Sequence, residues 1–419
     1  MTKDYVFNCD NDQKYASGIS IDIDDLTIDG QGHTIDANSQ SRVFNVNSNN
    51  VTLKNLVITN AKSDSYGGAI YWSGSDGKID NCVLKNCNSP NSGGAVYFKN
   101  SADIINSKFL NNTAFFAGGV DFESDSTIAN CEFENNFATY LGGALFSSEK
   151  TTVLNSTFTS NEAGDGGAIY FFTTGIIEDT TFKNNIAIGY GGAITNENTI
   201  YVKNSEFIKN TGAYAGAIYL KGDGHIDNST FAENCAKEGG AISSACDNAS
   251  ITNSEFKNNN ASKGNSLDIF NKNIQIENVT FINNAISYES EIHMKCSNPV
   301  LFNLTYVNVT QKEESSNTPK TVTKKKTAIT AKTKIFKVKT KTKKYTALLK
   351  SGKTLLKYKK VTVKVKGKTY SSKTNKKGQA IFKLKITKKG TFKAIIKFNG
   401  DKLYKSCKKT VYIKIKNRG

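Results

Sequence analysis

Proline is almost absent from this chain, with three residues in 419. This scarcity excludes a proline-rich linker protein, and the 33 glycines lack the Gly-X-Y period of collagen. No run of 18 apolar residues occurs, so the sequence predicts no membrane-spanning helix. Aromatic residues nevertheless reach 10% of the chain, with 24 Phe and 18 Tyr. These are enough to build a folded core.

The net charge of +18 hides two opposite halves. Residues 320–419 contain 35 Lys and Arg and one acid, Asp401, for a net charge of +34. Residues 1–319 contain 20 Lys and Arg and 36 acids, for a net charge of −16. An asymmetry of this size predicts two modules with different partners.

A Gly-Gly-Ala-Ile element recurs at steps of 24–26 residues. Its copies begin at Gly67, Gly93, Gly118, Gly142, Gly166, Gly191, Ala215 and Gly239. A degenerate copy follows at Gly264. Such a fixed period marks a repeat architecture, in which units too small to bury their own apolar faces stack on one another.

A second element, Asn-x-x-Phe-x-x-Asn, keeps the same period out of phase with the first, with Asp179 in place of the first Asn in one copy. Its Phe residues are Phe109, Phe133, Phe158, Phe182, Phe207, Phe231, Phe256 and Phe281. The Asn residues that follow them are Asn112, Asn136, Asn161, Asn185, Asn210, Asn234, Asn259 and Asn284. We predict that both sets form structural ladders, in which each side chain stacks on its copy one repeat away.

The segments between the turns indicate β-strands. They are four to six residues long, rich in β-branched and aromatic residues, and lack helical periodicity, as in Ile200–Val202. Three such strands and three turns account for one coil of a parallel β-helix. We therefore predict an all-β chain that begins with a single-stranded parallel β-helix of about 12 coils over residues 1–310, with ladders spaced ~4.8 Å apart.

The motifs carry a family resemblance. The Gly-Gly-Ala-Ile and Phe-x-x-Asn pair resembles the repeats of chlamydial polymorphic outer-membrane proteins and of the adhesin-like surface proteins of methanogenic archaea. The segment from Leu26 to Asp36, Leu-Thr-Ile-Asp-Gly-Gln-Gly-His-Thr-Ile-Asp, is similar to the first coils of pectate-lyase-like β-helices. The resemblance implies a right-handed β-helix and an extracellular or cell-surface location. No signal peptide is visible after Met1.

The eight cysteines do not form a disulfide framework in this arrangement. Cys82 and Cys131 occupy the same repeat position two repeats apart, as do Cys246 and Cys296. At ~4.8 Å per coil these pairs lie ~10 Å apart, too far to bond. No Cys-x-x-Cys motif occurs and the three His are scattered, so we predict no metal and no cofactor.

The sequence alone leaves open which side chains of each Ala-Ile-Tyr strand face the core. Asp121 and Glu123, aligned with Ile70 and Trp72, favour an outward Ile parity. The side chains then stacked inside are Tyr71, Tyr97, Phe122, Phe146 and Tyr170. The outward stripe, a candidate contact surface, is Ile70, Val96, Leu145, Ile169, Ile194, Ile218 and Ile242.

One acidic triple stands out as a weak candidate for calcium or sugar binding. Asp121, Glu123 and Asp125 are spaced at i, i+2 and i+4. Neighbouring coils add no matching acids, so a locally polar surface is the favoured interpretation. The rod carries a single Arg, Arg42, although polysaccharide lyases usually need Arg to neutralise a uronate. We therefore predict no catalytic residue.

Residues 311–326 lose the repeat and are interpreted as a linker. Strict alternation follows, as in Val361–Val365, and predicts a small antiparallel β-sandwich over residues 327–419. The segment Phe398-Asn-Gly-Asp-Lys-Leu-Tyr404 resembles a corner of bacterial immunoglobulin-like domains. Lysines occupy the outward parity, and the possible polyanion contacts are Lys364, Lys366, Lys383 and Lys385.

Together these features favour a non-enzymatic surface adhesin. The rod, predicted to be monomeric, would meet a glycan or protein of another cell, and the basic domain would contact an anionic cell-envelope polymer. Nucleic acid is disfavoured as partner because Arg418 is the only Arg of the basic module and a stacking platform is weak. The alternative is a carbohydrate-active β-helix enzyme, a lyase or hydrolase, with a basic substrate-binding module.

Overall fold

The structure, a computed structural model, describes residues 1–283, 291–307, 325–340, 342–352, 354–400 and 404–416. By its internal contacts the chain divides into two compact units, Met1–Gln311 and Lys312–Gly419. One helical turn, Cys9–Asp12, and a 3-10 turn, Gln13–Tyr15, precede the coils, and nearly all other regular structure is strand. Among the described residues, no helix is both long and apolar enough to cross a membrane.

The first unit is a parallel β-helix built from three long sheets. Sheet 1 consists of Tyr5–Val6, Thr34–Asp36, Val57–Thr59, Val83–Lys85, Lys108–Leu110, Glu132–Glu134, Thr157–Thr159, Thr181–Lys183, Glu206–Ile208, Thr230–Ala232, Glu255–Lys257, Thr280–Ile282 and Thr305–Val307. Sheet 2 consists of Ile19–Ile21, Phe44–Val46, Ile70–Trp72, Val96–Phe98, Val120–Phe122, Leu145–Ser147, Ile169–Phe171, Ile194–Asn196, Ile218–Leu220, Ile242–Ser244, Leu267–Ile269 and Ile292–Met294. Sheet 3 consists of Thr27–Asp29, Thr52–Lys54, Gly77–Asp80, Ala102–Ile105, Ser126–Ala129, Thr151–Leu154, Gly175–Glu178, Ile200–Lys203, Gly224–Asp227, Asn248–Thr252, Asn273–Glu277 and Asn298–Phe302.

Each coil runs through sheet 2, sheet 3 and sheet 1, and a longer turn returns it to sheet 2. In the middle of the rod this turn adds a fourth short parallel sheet of Thr113–Phe116, Phe137–Leu141, Glu162–Ala163 and Ile186–Ala187. Two further strands, Cys235–Glu238 and Asn260–Lys263, pair in the same way. All eight cysteines are free thiols.

The Phe ladder lies in sheet 1 and faces the core. Neighbouring rings from Phe109 to Phe281 are stacked with centroids 4.7–5.3 Å apart, and Tyr306 continues the ladder at 5.1 Å. The Phe side chains are fully or almost fully buried. Burial of aromatic area together with parallel stacking makes this ladder a main stabilising feature of the rod.

The Asn ladder from Asn112 to Asn259 is also buried, and it satisfies backbone groups that the turn would leave unpaired. Asn161 is typical: its Oδ1 accepts from the backbone N and the Nδ2 of Asn136, at 2.9 and 3.0 Å. Its Nδ2 donates to the Phe133 carbonyl at 3.1 Å and to Asn185 Oδ1 at 3.0 Å. An amide can both donate and accept, so identical residues bond to one another along the whole ladder. Asn284 lies outside the described residues.

The other Asn series, three residues before each Phe, has a different role. Asn55, Asn130 and Asn228 have φ of 52°, 58° and 49°, and the equivalent positions of the other coils share this left-handed conformation. Asn tolerates positive φ better than other non-glycine residues. The Gly-Gly corner has two demands: Gly166 has φ +62°, and a Cβ on Gly167 would lie 2.2 Å from the Gly192 carbonyl oxygen.

The predicted parity of sheet 2 is wrong except at Phe122, which lies in the core as predicted. The Ile-type residues from Ile70 to Ile242 are buried in the core, while Tyr71, Tyr97 and Phe146 point outward and are half-buried. The stripe of apolar residues predicted on the surface is therefore part of the core.

The error arises at one coil, where Val120 pairs with Val96 and Asp121 pairs with Tyr97. Ala117, with φ 48°, takes the place of the first Gly, so the repeat begins one residue before Gly118. A shift of one residue exchanges the two faces of a strand.

The second unit contains two sheets around one core. The four-stranded sheet contains Ala328–Thr330, Lys343–Ser351, Thr354–Leu355 and Gln379–Leu384. The five-stranded sheet contains Lys334–Lys337, Cys407–Lys416, Gly390–Phe398, Lys360–Val365 and Lys368–Lys373. Lys334–Lys337 pairs in parallel with Cys407–Lys416, whereas the sequence predicts antiparallel pairing throughout. Most of the predicted linker, up to residue 324, lies outside the described residues.

We expect Asn161→Ala to lower the free energy of unfolding of the rod by ~2–4 kcal/mol, because the buried donors of Asn136 lose their acceptor. The measurement is chemical denaturation followed by circular dichroism. Asn155→Gly in the same coil is the matched control, since Asn155 is exposed with φ 45° and glycine adopts that conformation freely. Equal destabilisation by both changes would contradict a special role for the buried ladder.

Candidate functional site

The outward face of sheet 2 and the adjoining turn carry a series of aromatic side chains, which we call the aromatic band. It consists of Tyr66, Tyr71, Tyr97, Phe115, Phe116, Tyr140, Phe146, Tyr170, Tyr190, Tyr214 and Tyr219. The sheet positions rise one coil at a time, and the register aligns Tyr71, Tyr97, Asp121, Phe146 and Tyr170 in one row. The row exists because the turn positions and the strand parity repeat in every coil.

The band is divided into three clusters of rings in contact. In the first, Tyr97 lies 4.8 Å from Tyr66 and 5.6 Å from Tyr71 between ring centroids. The second runs from Phe115 and Tyr140 on the turn, through Phe116, to Phe146 and Tyr170 on sheet 2.

In the third cluster Tyr190 lies 5.0 Å from Tyr214 and 4.5 Å from Tyr219. Tyr140 is 52% exposed and Tyr190 is 38% exposed. The rings most available to solvent are therefore those on the turn, whereas most sheet positions of the band are half-buried and Tyr170 is buried.

A buried carboxyl separates the first two clusters. Asp121 is 2% exposed, and one of its oxygens accepts a hydrogen bond from the Ser92 hydroxyl. Its Oδ1 has no partner among the described residues. Burial, with a smaller contribution from Glu123, raises the pKa of Asp121 to about 8. Burial thus favours the protonated, neutral form of this carboxyl at pH 7.

A second carboxylate separates the last two clusters. Glu197 accepts a hydrogen bond from the Tyr170 hydroxyl and forms an ion pair with Lys221. Burial and this hydrogen bond raise the pKa of Tyr170. Asp165, whose pKa is also raised by burial, accepts from the backbone N of Tyr190 at 2.7 Å. Polar groups thus stand between the aromatic rings at intervals along the rod.

The acidic triple predicted as a weak cation site is not brought together. Asp121 is buried on the outward row of sheet 2, Glu123 is half-buried at the corner after the strand, and Asp125 is exposed. Asp125 lines a shallow depression beside sheet 3 together with Asp103 and Lys150. In the described part of the chain, no group of three or more His, Cys, Asp or Glu side chains could hold a metal ion.

Two of the four predicted polyanion contacts lie on strands of different sheets. Lys364 belongs to the five-stranded sheet and Lys383 to the four-stranded sheet. Lys366 lies in the turn after Val365, with its Nζ 5.8 Å from the centre of the Phe392 ring, and Lys385 directly follows the strand that ends at Leu384. All four are exposed, and the shared core separates Lys364 from Lys383.

Lysines also face lysines across the strands of this unit. Three directly opposed pairs are exposed: Lys344 with Lys383, Lys360 with Lys373, and Lys397 with Lys408. Like charges directly opposite each other destabilise a sheet. Between residues 325 and 416 the described residues include no Asp or Glu, and Asp401 lies outside them. The described lysines therefore have no carboxylate of this unit to neutralise them.

Comparison with known families gives two matches. Residues 15–175 match the right handed beta helix region, and residues 179–197 match the Chlamydia polymorphic membrane protein repeat. The right-handed sense implied by the family resemblance is thereby confirmed. No curated protein matches the chain significantly.

Sequence reasoning missed the aromatic band because it assigned the Tyr positions to the core. A signal was present: Tyr71, Tyr97, Asp121 and Phe146 form a row once the coil is aligned from Ala117. A carboxylate within an inward aromatic row would be costly, and this cost favours the outward placement.

We expect Asp121→Asn to raise the stability of the rod at pH 7 by ~1–3 kcal/mol, since an amide has no ionisation cost. In the native protein the unfolded carboxyl loses its proton near its ordinary pKa of 3.8, and the folded one near 8. This group therefore lowers stability as pH rises from about 4 to about 8. The variant should lose that pH dependence in thermal unfolding scans.

The control for this experiment is Asp125→Asn, which changes an exposed carboxylate four residues further along the chain. It should leave both the stability at pH 7 and its pH dependence unchanged. If Asp121→Asn destabilises the rod at pH 7, the carboxyl is not held in the neutral form.

Proposed function

We propose that this chain is a non-enzymatic, adhesin-like cell-surface protein. The β-helix displays a binding face towards a glycan or protein of another cell. The Lys-rich unit, an immunoglobulin-like module in this proposal, contacts an anionic polymer of the cell envelope. The location is extracellular or at the cell surface.

One observation carries the proposal, namely the unbalanced charge of the basic unit. Its exposed lysines oppose one another across strands, and the described residues contain no carboxylate to offset them. Folding places these charges close together at a cost in free energy, which a bound polyanion would offset. The outward parity of the strands leaves the ammonium groups available to such a polymer.

The family matches support the surface role. The β-helix region occurs in both enzymes and adhesins, so this match alone leaves the activity open. The polymorphic membrane protein repeat favours a surface protein. Among the described residues of the row, Asp121 is the only carboxyl with a pKa near neutrality. Its side chain is almost fully buried and is poorly placed to reach a substrate.

The test is binding of the full chain to immobilised polygalacturonate and polyphosphate at several salt concentrations. We expect affinity to fall steeply with salt. Replacing Lys364, Lys393 and Lys397 by Gln should lower the slope of log K against log salt by about 2 and weaken binding about tenfold at 0.15 M salt. These three lysines share the exposed outer face of the five-stranded sheet.

The matched control replaces three exposed lysines of the rod, Lys183, Lys203 and Lys257, by Gln. It removes the same charge and should leave the salt slope unchanged. Equal effects of the two triple variants would mean that net charge alone determines binding. A preference for duplex DNA over both polymers would replace the envelope polymer by nucleic acid.

A further inference from the structure

We propose that the aromatic band is a binding groove for an uncharged polysaccharide chain. This inference rests on the proposed surface role and specifies which face of the rod binds and which ligand chemistry it takes. The proposal requires no chemical step.

The length of the band supports this proposal. Its row occupies seven consecutive strands of sheet 2, from the strand of Tyr71 to that of Tyr219. At ~4.8 Å per coil, six steps extend over ~29 Å. A surface of this length suits an extended chain-like ligand, which contacts several coils at once.

Rings and polar groups alternate along the band. The three ring clusters offer flat apolar faces, and the C–H faces of pyranose rings pack on such surfaces. Between the last two clusters lies Glu197, which accepts from the Tyr170 hydroxyl and pairs with Lys221, and its oxygens can accept further hydrogen bonds from sugar hydroxyls. Binding sites for small polar ligands combine mainly apolar walls with a few placed polar groups in the same way.

The charge of the rod favours an uncharged chain. The rod half of the sequence carries a net charge of −16, and Asp165 and Glu197 flank the band, with Glu197 paired to Lys221, so the remaining negative charge would repel an anionic polymer. A protein partner would have to desolvate the same carboxylates, and the cores of protein interfaces are depleted in Asp and Glu. Hydroxyl groups of a neutral glycan hydrogen-bond to these oxygens instead.

Asp121 has an incomplete set of hydrogen bonds. This carboxyl lies in the row of the band, 2% exposed, with one oxygen paired to Ser92 and the other without a partner among the described residues. A buried polar atom that lacks a partner indicates a missing hydrogen-bonding group. A water molecule beside Tyr97 and Phe146, its neighbours in the row, would supply that group and would in turn bond to a sugar hydroxyl at the surface.

The experiment measures depletion of the full chain by insoluble cellulose, curdlan, chitin and mannan in 0.5 M NaCl, where the contribution of the lysines is screened. We expect retention on at least one of these neutral polysaccharides. The variant carrying Tyr140→Ala and Tyr190→Ala removes two of the most exposed rings and should bind about tenfold more weakly.

The matched control is Tyr201→Ala. Tyr201 is 47% exposed and stacks on His225, but it lies on sheet 3, away from the band. This variant should bind as the native chain does, and thermal unfolding of all variants verifies that they fold.

Absence of retention on all four polysaccharides, or an equal loss with Tyr201→Ala, would overturn the groove. A second result would also overturn it: the chain associates with itself, the double variant abolishes this association, and no polysaccharide retains the chain. The band would then bind a second copy of the chain. Band-dependent release of new reducing ends would support the groove and contradict the non-enzymatic role. If the chain did not bind polyanions but was retained on a neutral polysaccharide, the proposed role of the basic unit would be refuted. The proposed groove would be unaffected.

Discussion

Every coil of the rod must pack on a near copy of itself about one strand spacing away, and this constraint underlies the rest of the structure. A residue can occupy a core position only if it is compatible with its own kind directly above and below. Phe meets this condition by parallel stacking, and Asn meets it because an amide donates to one neighbour and accepts from the other. Lys, Asp or Glu at the same position would place like charges in a buried column.

The outward row of sheet 2 is subject to the same spacing but to a weaker penalty, since a polar side chain there can hydrogen-bond to the adjoining turn, as Asp121 does with Ser92 and Thr195 with the Tyr190 carbonyl. Aromatic rungs such as Tyr97 and Phe146 therefore alternate with a carboxyl at Asp121 and a hydroxyl at Thr195. Residues that depart from the repeat provide the polar groups of this surface, whereas residues that follow the repeat stabilise the rod. The three ring clusters and the polar groups between them are the consequence.

The two units treat charge in opposite ways. The rod pairs many of its charges locally, as Lys108 does with Glu132 at 2.6 Å and Lys272 with Asp247 at 2.8 Å. The basic unit instead aligns lysines across strands and relies on its apolar core to remain folded. In the proposed role, binding of an external anion would offset the repulsion between these lysines and would stabilise the folded unit.

The sequence by itself determined the period, the all-β character, and the Phe and Asn ladders, because a residue that must match its own copy recurs visibly along the chain. It did not determine which side of sheet 2 faces the core. That choice depends on how one coil is aligned with its neighbour. Ala117 adopts a positive φ and Val120 pairs with Val96, and this register decides which of the alternating side chains of the strand face the core. Nor did it separate Lys364 from Lys383, whose alternating patterns are alike. Only the non-local pairing of strands assigns these lysines to different sheets, and no local pattern encodes such pairing.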